Sequence, residues 1–331
     1  MTTIAINGFG RIGRSAFRIA FERNDIEIAA INDLADAATL AHLLRYDTAY
    51  GKFEKDISVE DGALVVDGKC VPVLSEPDPE KLPWGDMNVD VVLECTGRFV
   101  KGDDAKKHIT AGAKKVVLSA PAKKSDIPMC ILGVNGEEAF TSEDAVSNAS
   151  CTTNCIAPVA EVMHRTFGIE KALMTTVHSY TADQRLQDAP HRDMRRARAA
   201  AQNIVPTTTG AAIATTKVLP ELEGKFDGMA IRVPSLVVSL SDLTFVLSRE
   251  TNVEEINNAF RSASEEDRYR GILGVTDEPL VSSDFIGDSH SSIVDLSLTQ
   301  VTGGNLAKVV AWYDNEWGYS KRLVEMAMKI A

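Results

Sequence analysis

Thr3-Ile4-Ala5-Ile6-Asn7-Gly8-Phe9-Gly10-Arg11-Ile12-Gly13 is a short apolar run that breaks into three glycines. Residues 3–6 read as a buried strand. Behind the glycines, Ile12, Ala16, Ile19 and Ala20 fall on one side of a helix, with Arg14, Arg18 and Glu22 largely on the other. Gly8-x-Gly10-x-x-Gly13 in this strand-to-helix context is the dinucleotide fingerprint. The first glycine makes the tight turn, the second lets backbone approach a pyrophosphate, and the third lets the helix close on the strand. The phosphates sit at the helix N-terminus.

A second strand, Ile26 to Ile31, leads into Asn32-Asp33-Leu34. Asp33 lies 20 residues beyond Gly13, where a carboxylate accepts hydrogen bonds from an adenosine ribose and repels a 2′-phosphate. The expected cofactor is therefore NAD. Residues 63–66 and 70–73 read as a hairpin around Asp67-Gly68. Strands are expected at 89–94, 115–119, 129–134 and 145–147, with helices at 38–44 and 103–111. Such alternation implies a doubly wound parallel sheet covered on both faces, with ligands at the carboxyl ends of its strands. Thr96, Gly97 and Ser119 are expected to face the cofactor.

Composition excludes several classes. With 44% hydrophobic and 25% charged residues over 331 positions, the chain has material for about two packed domains. No apolar run approaches the roughly 20 residues of a bilayer span, and a strand begins too close to Met1 to leave room for a signal peptide. Five cysteines without framework spacing fit a reducing compartment, so a cytoplasmic location is expected. A net charge of −12 argues against nucleic acid or a membrane as partner.

Past residue 150 the texture changes. Ser147-Asn148-Ala149-Ser150-Cys151-Thr152-Thr153-Asn154-Cys155 joins an apolar run to a helical segment over 156–167. Cys151 at such a helix N-terminus is a candidate nucleophile, since unpaired N–H groups there favour a thiolate. Cys155, one turn on, reads as a buried hydrophobe. The pair lacks further ligands at zinc spacing, so no metal is expected. His178, in the expected strand 173–181, is a candidate base. Residues 182–205 hold the arginines 192, 195, 196 and 198 in a segment too long for a plain connector. Pro206-Thr207-Thr208-Thr209-Gly210 opens a further helix with hydroxyls at its N-terminus. Strands at 229–235, 237–247, 292–300 and 307–312, a helix at 254–264 and a last helix at 320–330 complete the pattern. The expected fold is α/β: a Rossmann-type parallel sheet over residues 1–150, and an α+β catalytic domain with a mostly antiparallel sheet over 151–317. The C-terminal helix, 318–331, is expected to pack back on the first domain.

Four stretches, in order along the whole chain, closely resemble the glyceraldehyde-3-phosphate dehydrogenase family. They are Asn7 to Arg14, Ala149 to Cys155, Thr176 to Thr181, and Trp312-Tyr313-Asp314-Asn315-Glu316-Trp317-Gly318-Tyr319. The resemblance implies Cys151 as nucleophile and His178 as its base. It implies NAD contacts from Gly8, Gly10, Arg11, Ile12, Gly13, Asp33, Ser119 and Asn315, the last holding the nicotinamide carboxamide. Ser150, Thr152, Thr209 and Gly210 correspond to a site for inorganic phosphate. Thr181, Arg232 and Arg196 correspond to positions that bind glyceraldehyde 3-phosphate. A homotetramer is implied, with the arginine-rich segment near a neighbouring subunit's cofactor. The chain departs from the family pattern after Pro234, where Ser235-Leu236-Val237 stands for Thr-Pro-Asn. Leu34 and Pro190 resemble the NAD-specific pattern, Ala189 the dual-specificity one. Rival readings are an erythrose-4-phosphate dehydrogenase and a non-catalytic NAD-binding regulator; retention of Cys151, His178 and Arg232 together speaks against the second.

Overall fold

The computed structural model describes residues 1–123 and 127–331. They form two compact units. One comprises Met1–Cys130, Gly136–Ala149 and Tyr319–Ala331; the other comprises Ile131–Asn135 and Ser150–Gly318.

In the first unit, β1 (Thr2–Asn7), α1 (Arg11–Phe21) and β2 (Ile26–Asn32) make a parallel βαβ unit, paired from Thr2↔Ile26 to Asn7↔Asn32. Next come α2 (Ala37–Arg45), the ribbon β3 (Tyr46–Asp47) and β4 (Gly51–Lys52), and an antiparallel sheet of β5 (Ile57–Glu60), β6 (Ala63–Val66) and β7 (Lys69–Val71). The chain then adds β8 (Val73–Leu74), β9 (Val91–Glu94), α3 (Gly102–Thr110), β10 (Lys115–Leu118), α4 (Glu137–Ser142) and β11 (Ala145–Ser147). The main sheet runs β11-β10-β9-β1-β2-β8 with every pairing parallel. Ile4, Ile6, Val91, Leu93, Val116 and Val117 have no exposed surface. A sheet buried on both faces explains why its strands read as unbroken apolar runs. The strand order reverses between β1 and β9, and the crevice at that switch point is where such sheets bind ligands.

Two expectations need correction here. The hairpin around Asp67-Gly68 forms, but Val73 leaves it to pair with Ile31 in the parallel sheet. Residues 129–134 form no strand. Met129 makes an isolated bridge to Ser147 and begins no strand. Beyond it, Gly133 at φ +85° and an Ile131 N–H donated to Asn135 Oδ1 (2.8 Å) turn the chain.

The second unit begins with α5 (Cys151–Phe167) and β12 (Ile169–Ser179). It continues through β13 (Val205–Thr208), α6 (Ala211–Val218), β14 (Phe226–Val233), β15 (Ser239–Leu247), α7 (Val253–Ser264), β16 (Leu273–Thr276), β17 (Ser292–Asp295), β18 (Gln300–Thr302) and β19 (Leu306–Tyr313). The strand order is β13-β14-β12-β15-β19-β17-β16, with β18 on β19. The pairs β12–β14 and β16–β17 are parallel and the others antiparallel. Burial alternates strictly along β15, the signature of a sheet with one packed face. Residues 292–300 are not one strand. Buried Asp295 accepts the Ser297 N–H (3.2 Å) and the Trp312 Nε1–H (3.1 Å), and the chain turns there. The last helix, α8 (Trp317–Ile330), lies from Tyr319 onward in the first unit. There the Tyr319 hydroxyl donates to the Ala149 carbonyl at 3.0 Å.

The glycines of the opening turn divide their work. Gly8 sits at φ +93°, and a Cβ on it would lie 2.7 Å from the Thr96 nitrogen. A Cβ on Gly13 would lie 2.1 Å from the Gly8 carbonyl oxygen, so α1 reaches β1 only because that position is bare. Gly13→Ala is expected to cost on the order of 1–3 kcal/mol of stability through overpacking. Urea unfolding should show it, together with weakened NAD binding; unchanged values for both would contradict the close approach.

Candidate active site

Cys151 is the first residue of α5, and Ser150 caps the helix by accepting the Thr153 N–H at 3.0 Å. The Cys151 sulfur lies 3.5 Å from His178 Nε2. His178 stands near the end of β12, and its Nδ1 is 2.7 Å from the Ser179 carbonyl oxygen. A carbonyl only accepts, so Nδ1 carries a proton and a neutral ring presents an Nε2 lone pair to the sulfur. Tyr313 sets its ring edge-on to His178 at 6.0 Å, and its hydroxyl joins Thr152 (3.0 Å) to Thr176 (2.8 Å).

Burial dominates the electrostatics. It pushes the Cys151 thiol above its usual range, while the Arg232 charge and hydrogen bonds from Thr152 work against it. Burial also pulls His178 down to about 3, with the Arg232 charge adding to the effect and the Ser179 hydrogen bond opposing it. The helix terminus and the Arg232 charge thus favour the thiolate while burial opposes it, and the base facing the sulfur is neutral.

Arg232 reaches this pair because β12 and β14 are parallel with His178 opposite Arg232. Its Nη1 donates to the Ser179 carbonyl (3.1 Å) and to Thr181 Oγ1 (3.2 Å). Its Nε is buried with no partner among the described residues, a donor left over for an anion. Arg196 is already engaged. It pairs with Asp183 and donates to Thr207 Oγ1 (2.9 Å) and the Thr208 carbonyl (3.1 Å). Thr209 Oγ1 accepts the Ala211 N–H at 3.1 Å, and Gly210 stands at the N-terminus of α6. The hydroxyls of Ser150 and Thr152 are occupied by the helix cap and by Tyr313.

In the first unit, a cleft of about 280 Å³ lies at the switch point, lined among others by Gly8, Gly10, Asp33, Leu34, Pro77 and Thr96. A Cβ on Gly10 would meet nothing within 4 Å, so that backbone is open to a ligand. Asp33 already accepts one backbone N–H on each oxygen, from Phe9 (2.7 Å) and Ala35 (3.0 Å). Five expected contacts of this unit, Arg11, Ile12, Gly13, Gly97 and Ser119, are not among the cleft's lining residues. Arg11 instead pairs with Asp47 and lies over the Tyr50 ring at 5.6 Å. Thr96 lines the cleft but turns both its N–H and its hydroxyl back to Glu94. Asn315, in the second unit, accepts on Oδ1 from Ser179 (2.9 Å) and Ser239 (3.0 Å). Both lone pairs are then used, and the amide nitrogen is the end left for a ligand. Sequence reasoning missed Tyr313, Ser179 and Ser239 as functional residues. The first two lie within motifs already quoted; Ser239 carries no local signal.

A dinucleotide cradle and a thiol with its base equip one chain to capture a carbonyl and pass on its hydride. The class is that of NAD-dependent oxidoreductases acting on aldehydes. Comparisons give the family. Residues 2–102 match the NAD binding domain of glyceraldehyde 3-phosphate dehydrogenase, and residues 150–315 match its C-terminal domain. The glyceraldehyde-3-phosphate dehydrogenase of Geobacillus stearothermophilus is 55% identical over 329 residues, covering 99% of this chain and 98% of its own. That of Streptomyces coelicolor is 54% identical over 327 residues (98% and 97%), and that of Borreliella burgdorferi 54% over 333 (99% and 99%). The chain belongs to the glyceraldehyde-3-phosphate dehydrogenase family.

The charge of Arg232 favours a thiolate and disfavours an imidazolium, so removing it moves both groups upward in pH. In Arg232→Met, the pH profile of Cys151 alkylation by iodoacetamide, measured without substrate, is expected to shift to higher pH. A shift to lower pH would mean that Arg232 does not act on the sulfur.

Proposed function

We propose that the chain oxidises D-glyceraldehyde 3-phosphate with NAD and inorganic phosphate, releasing 1,3-bisphosphoglycerate in glycolysis and gluconeogenesis. The observation that carries this reading is the Cys151 sulfur 3.5 Å from an imidazole nitrogen whose tautomer is fixed by its other side. The Cys151 sulfur attacks the aldehyde carbon while its proton passes to His178 Nε2 and on to the carbonyl oxygen, leaving a thiohemiacetal. The backbone N–H of Cys151 and the His178 ring stand ready to stabilise the oxygen as it gains charge. NAD, when bound, supplies the hydride acceptor. As the hydride leaves the carbon, His178 takes the hydroxyl proton, and a thioester on Cys151 remains. Phosphate then attacks the thioester carbon, and the sulfur leaves with the proton returned by His178. A thioester keeps the carbonyl activated for this transfer, which an oxygen ester would not.

Residue roles are assigned on this reading. Arg232 and Thr181 hold the phosphate of the substrate, with Arg196 contributing field from within its own ion pairs. Thr209 and Gly210, with Ser150 and Thr152, form the site for inorganic phosphate at the α6 N-terminus. Residues 1–150 serve the cofactor through Gly8, Gly10, Gly13, Asp33, Arg11, Ile12, Thr96, Gly97 and Ser119; residues 151–317 serve the substrate, and Asn315 offers its amide N–H to the nicotinamide carboxamide. The enzyme works as a homotetramer in the cytoplasm, with the arginine-rich segment 182–205 at a subunit boundary. No helix among the described residues is long and apolar enough to cross a membrane.

Initial rates of reduced-nicotinamide formation, with and without inorganic phosphate, test the proposal. Turnover on glyceraldehyde 3-phosphate is expected to depend on phosphate. Rates indifferent to phosphate would mean that water resolves the thioester and that Thr209 and Gly210 are misassigned. Faster turnover on erythrose 4-phosphate would change the substrate. In Cys151→Ser, activity is expected to fall by at least about 10³-fold with NAD binding retained; substantial residual turnover would remove Cys151 from the mechanism.

A further inference from the structure

Beneath the cofactor cleft of the first unit lies a buried carboxylate that the reaction does not use. Glu94 ends β9 with 2% of its surface exposed, and His108 and Trp84 beside it have none. The Trp84 indole N–H donates to His108 Nδ1 at 3.0 Å. An indole nitrogen is only a donor, so Nδ1 is the acceptor and His108 carries its proton on Nε2. That proton points at Glu94 Oε2, 3.0 Å away. Asn7 Nδ2 donates to the same oxygen at 2.6 Å. The Thr96 N–H (2.8 Å) and the Thr96 hydroxyl donate to the other oxygen. Four donors converge on Glu94, so the network requires the ionised carboxylate, which only accepts.

The network extends beyond Asn7. Asn7 Oδ1 accepts from Asn32 Nδ2 at 2.7 Å, and Asn32 Oδ1 accepts the Glu76 N–H at 2.9 Å. The Asn32 and Asn7 amides thus relay from the Glu76 N–H to Glu94, while Asn32 Nδ2 also donates to the Glu76 carbonyl at 2.9 Å. The partners other than His108 are the walls of the cleft. Asn7, Asn32, Glu76 and Thr96 all line it, at the ends of β1, β2 and β9 and in the turn after β8. A Cβ on Gly8 would lie 2.7 Å from the Thr96 nitrogen, whose N–H is directed to Glu94. A core seeking only stability would fill this place with apolar side chains, because a buried carboxylate is costly to desolvate. We infer that Glu94, oriented by His108 and Trp84, is a positioning residue for the adenosine half of NAD, acting through Asn7 and Thr96. This rests on the reading that the cleft takes the adenosine half of the cofactor.

Calorimetric titration of the full chain with NAD and with ADP-ribose tests it, using Glu94→Gln and Trp84→Phe. Glu94→Gln puts an NH₂ group where two donors already point. Its Kd is expected to rise at least about tenfold for both ligands, in equal proportion, the loss of one charged hydrogen bond. In steady-state assays the loss falls on KM for NAD rather than on kcat. Trp84→Phe keeps an aromatic side chain but removes the indole N–H and frees the His108 tautomer, and a rise of about fivefold is expected. A merely structural role would lower the fraction of binding-competent molecules without moving the Kd of those that remain. Kd values within twofold of wild type in Glu94→Gln overturn the inference while leaving the cofactor reading intact. Should Glu94→Gln fail to fold, an unchanged Kd in Trp84→Phe overturns it equally. Wild-type protein that binds neither ligand overturns the cofactor reading and the inference together.

Discussion

The bond from His178 Nδ1 to the Ser179 carbonyl leaves the other ring nitrogen as a lone pair facing the Cys151 sulfur. Burial opposes charge on both partners, pushing the thiol up and the imidazole down. The same burial makes His178 a base that is always in its accepting form near neutral pH. What the site then requires is a charge that appears only during reaction, and donors already in place to meet it. Arg232 belongs to this logic. Its position is fixed by strand register and its Nε lacks a partner among the described residues. It opposes protonation of His178 and places a buried positive charge beside the Cys151–His178 pair.

The first unit solves the opposite problem with the same means. Its ligand is anionic, yet the nearest buried charge at the switch point is the Glu94 carboxylate. Four hydrogen bonds direct that charge inwards, onto Asn7, His108 and Thr96. Asn7 and Thr96 line the cleft together with Gly8, Gly10, Asp33 and Arg98, and the Asp33 carboxylate is already tied to its neighbours. Both units thus hold the polar groups that shape their sites through bonds made behind them.

Much of this was legible in the sequence, and the reason is locality. The Gly8–Gly13 turn, the strand before it and the helix after it are encoded within a short stretch of chain, and so is the placement of Cys151 at a helix start. The illegible parts depend on pairing at long range. Val73 looks like the end of a hairpin until Ile31 is available as a parallel neighbour. Residues 292–300 look like one strand until Asp295 is seen to take the indole proton of Trp312. Arg196 reads as a free cation until Asp183 and Thr207 claim it. The thiol is a similar case: a helix terminus that favours a thiolate can be read from sequence, but the desolvation that opposes it comes from the folded surroundings. Asn7 and Glu94 meet across 87 residues of chain, and no local pattern joins them.

The segment after Pro234, where the chain departs from the family pattern, is held by bonds of its own. Ser235-Leu236-Val237 replaces the family's usual residues, yet the segment is tied at both ends. The Ser235 carbonyl accepts the Tyr180 N–H at 3.2 Å, and the Ser235 hydroxyl donates to the Val237 carbonyl at 2.9 Å. The next residue, buried Val238, sits at φ +68°. A β-branched residue in the left-handed region costs on the order of 1–3 kcal/mol and persists only where its surroundings over-determine it. Immediately after Val238 comes Ser239, whose hydroxyl accepts the Ser179 N–H (3.1 Å) and donates to Asn315 (3.0 Å). Relaxing Val238 would rotate the start of β15 and withdraw that hydroxyl. The Asn315 amide would then lose one of the two bonds that orient it, and the strand carrying His178 would lose a backbone anchor one residue from the base. The strain is therefore held where two functional residues share a single serine.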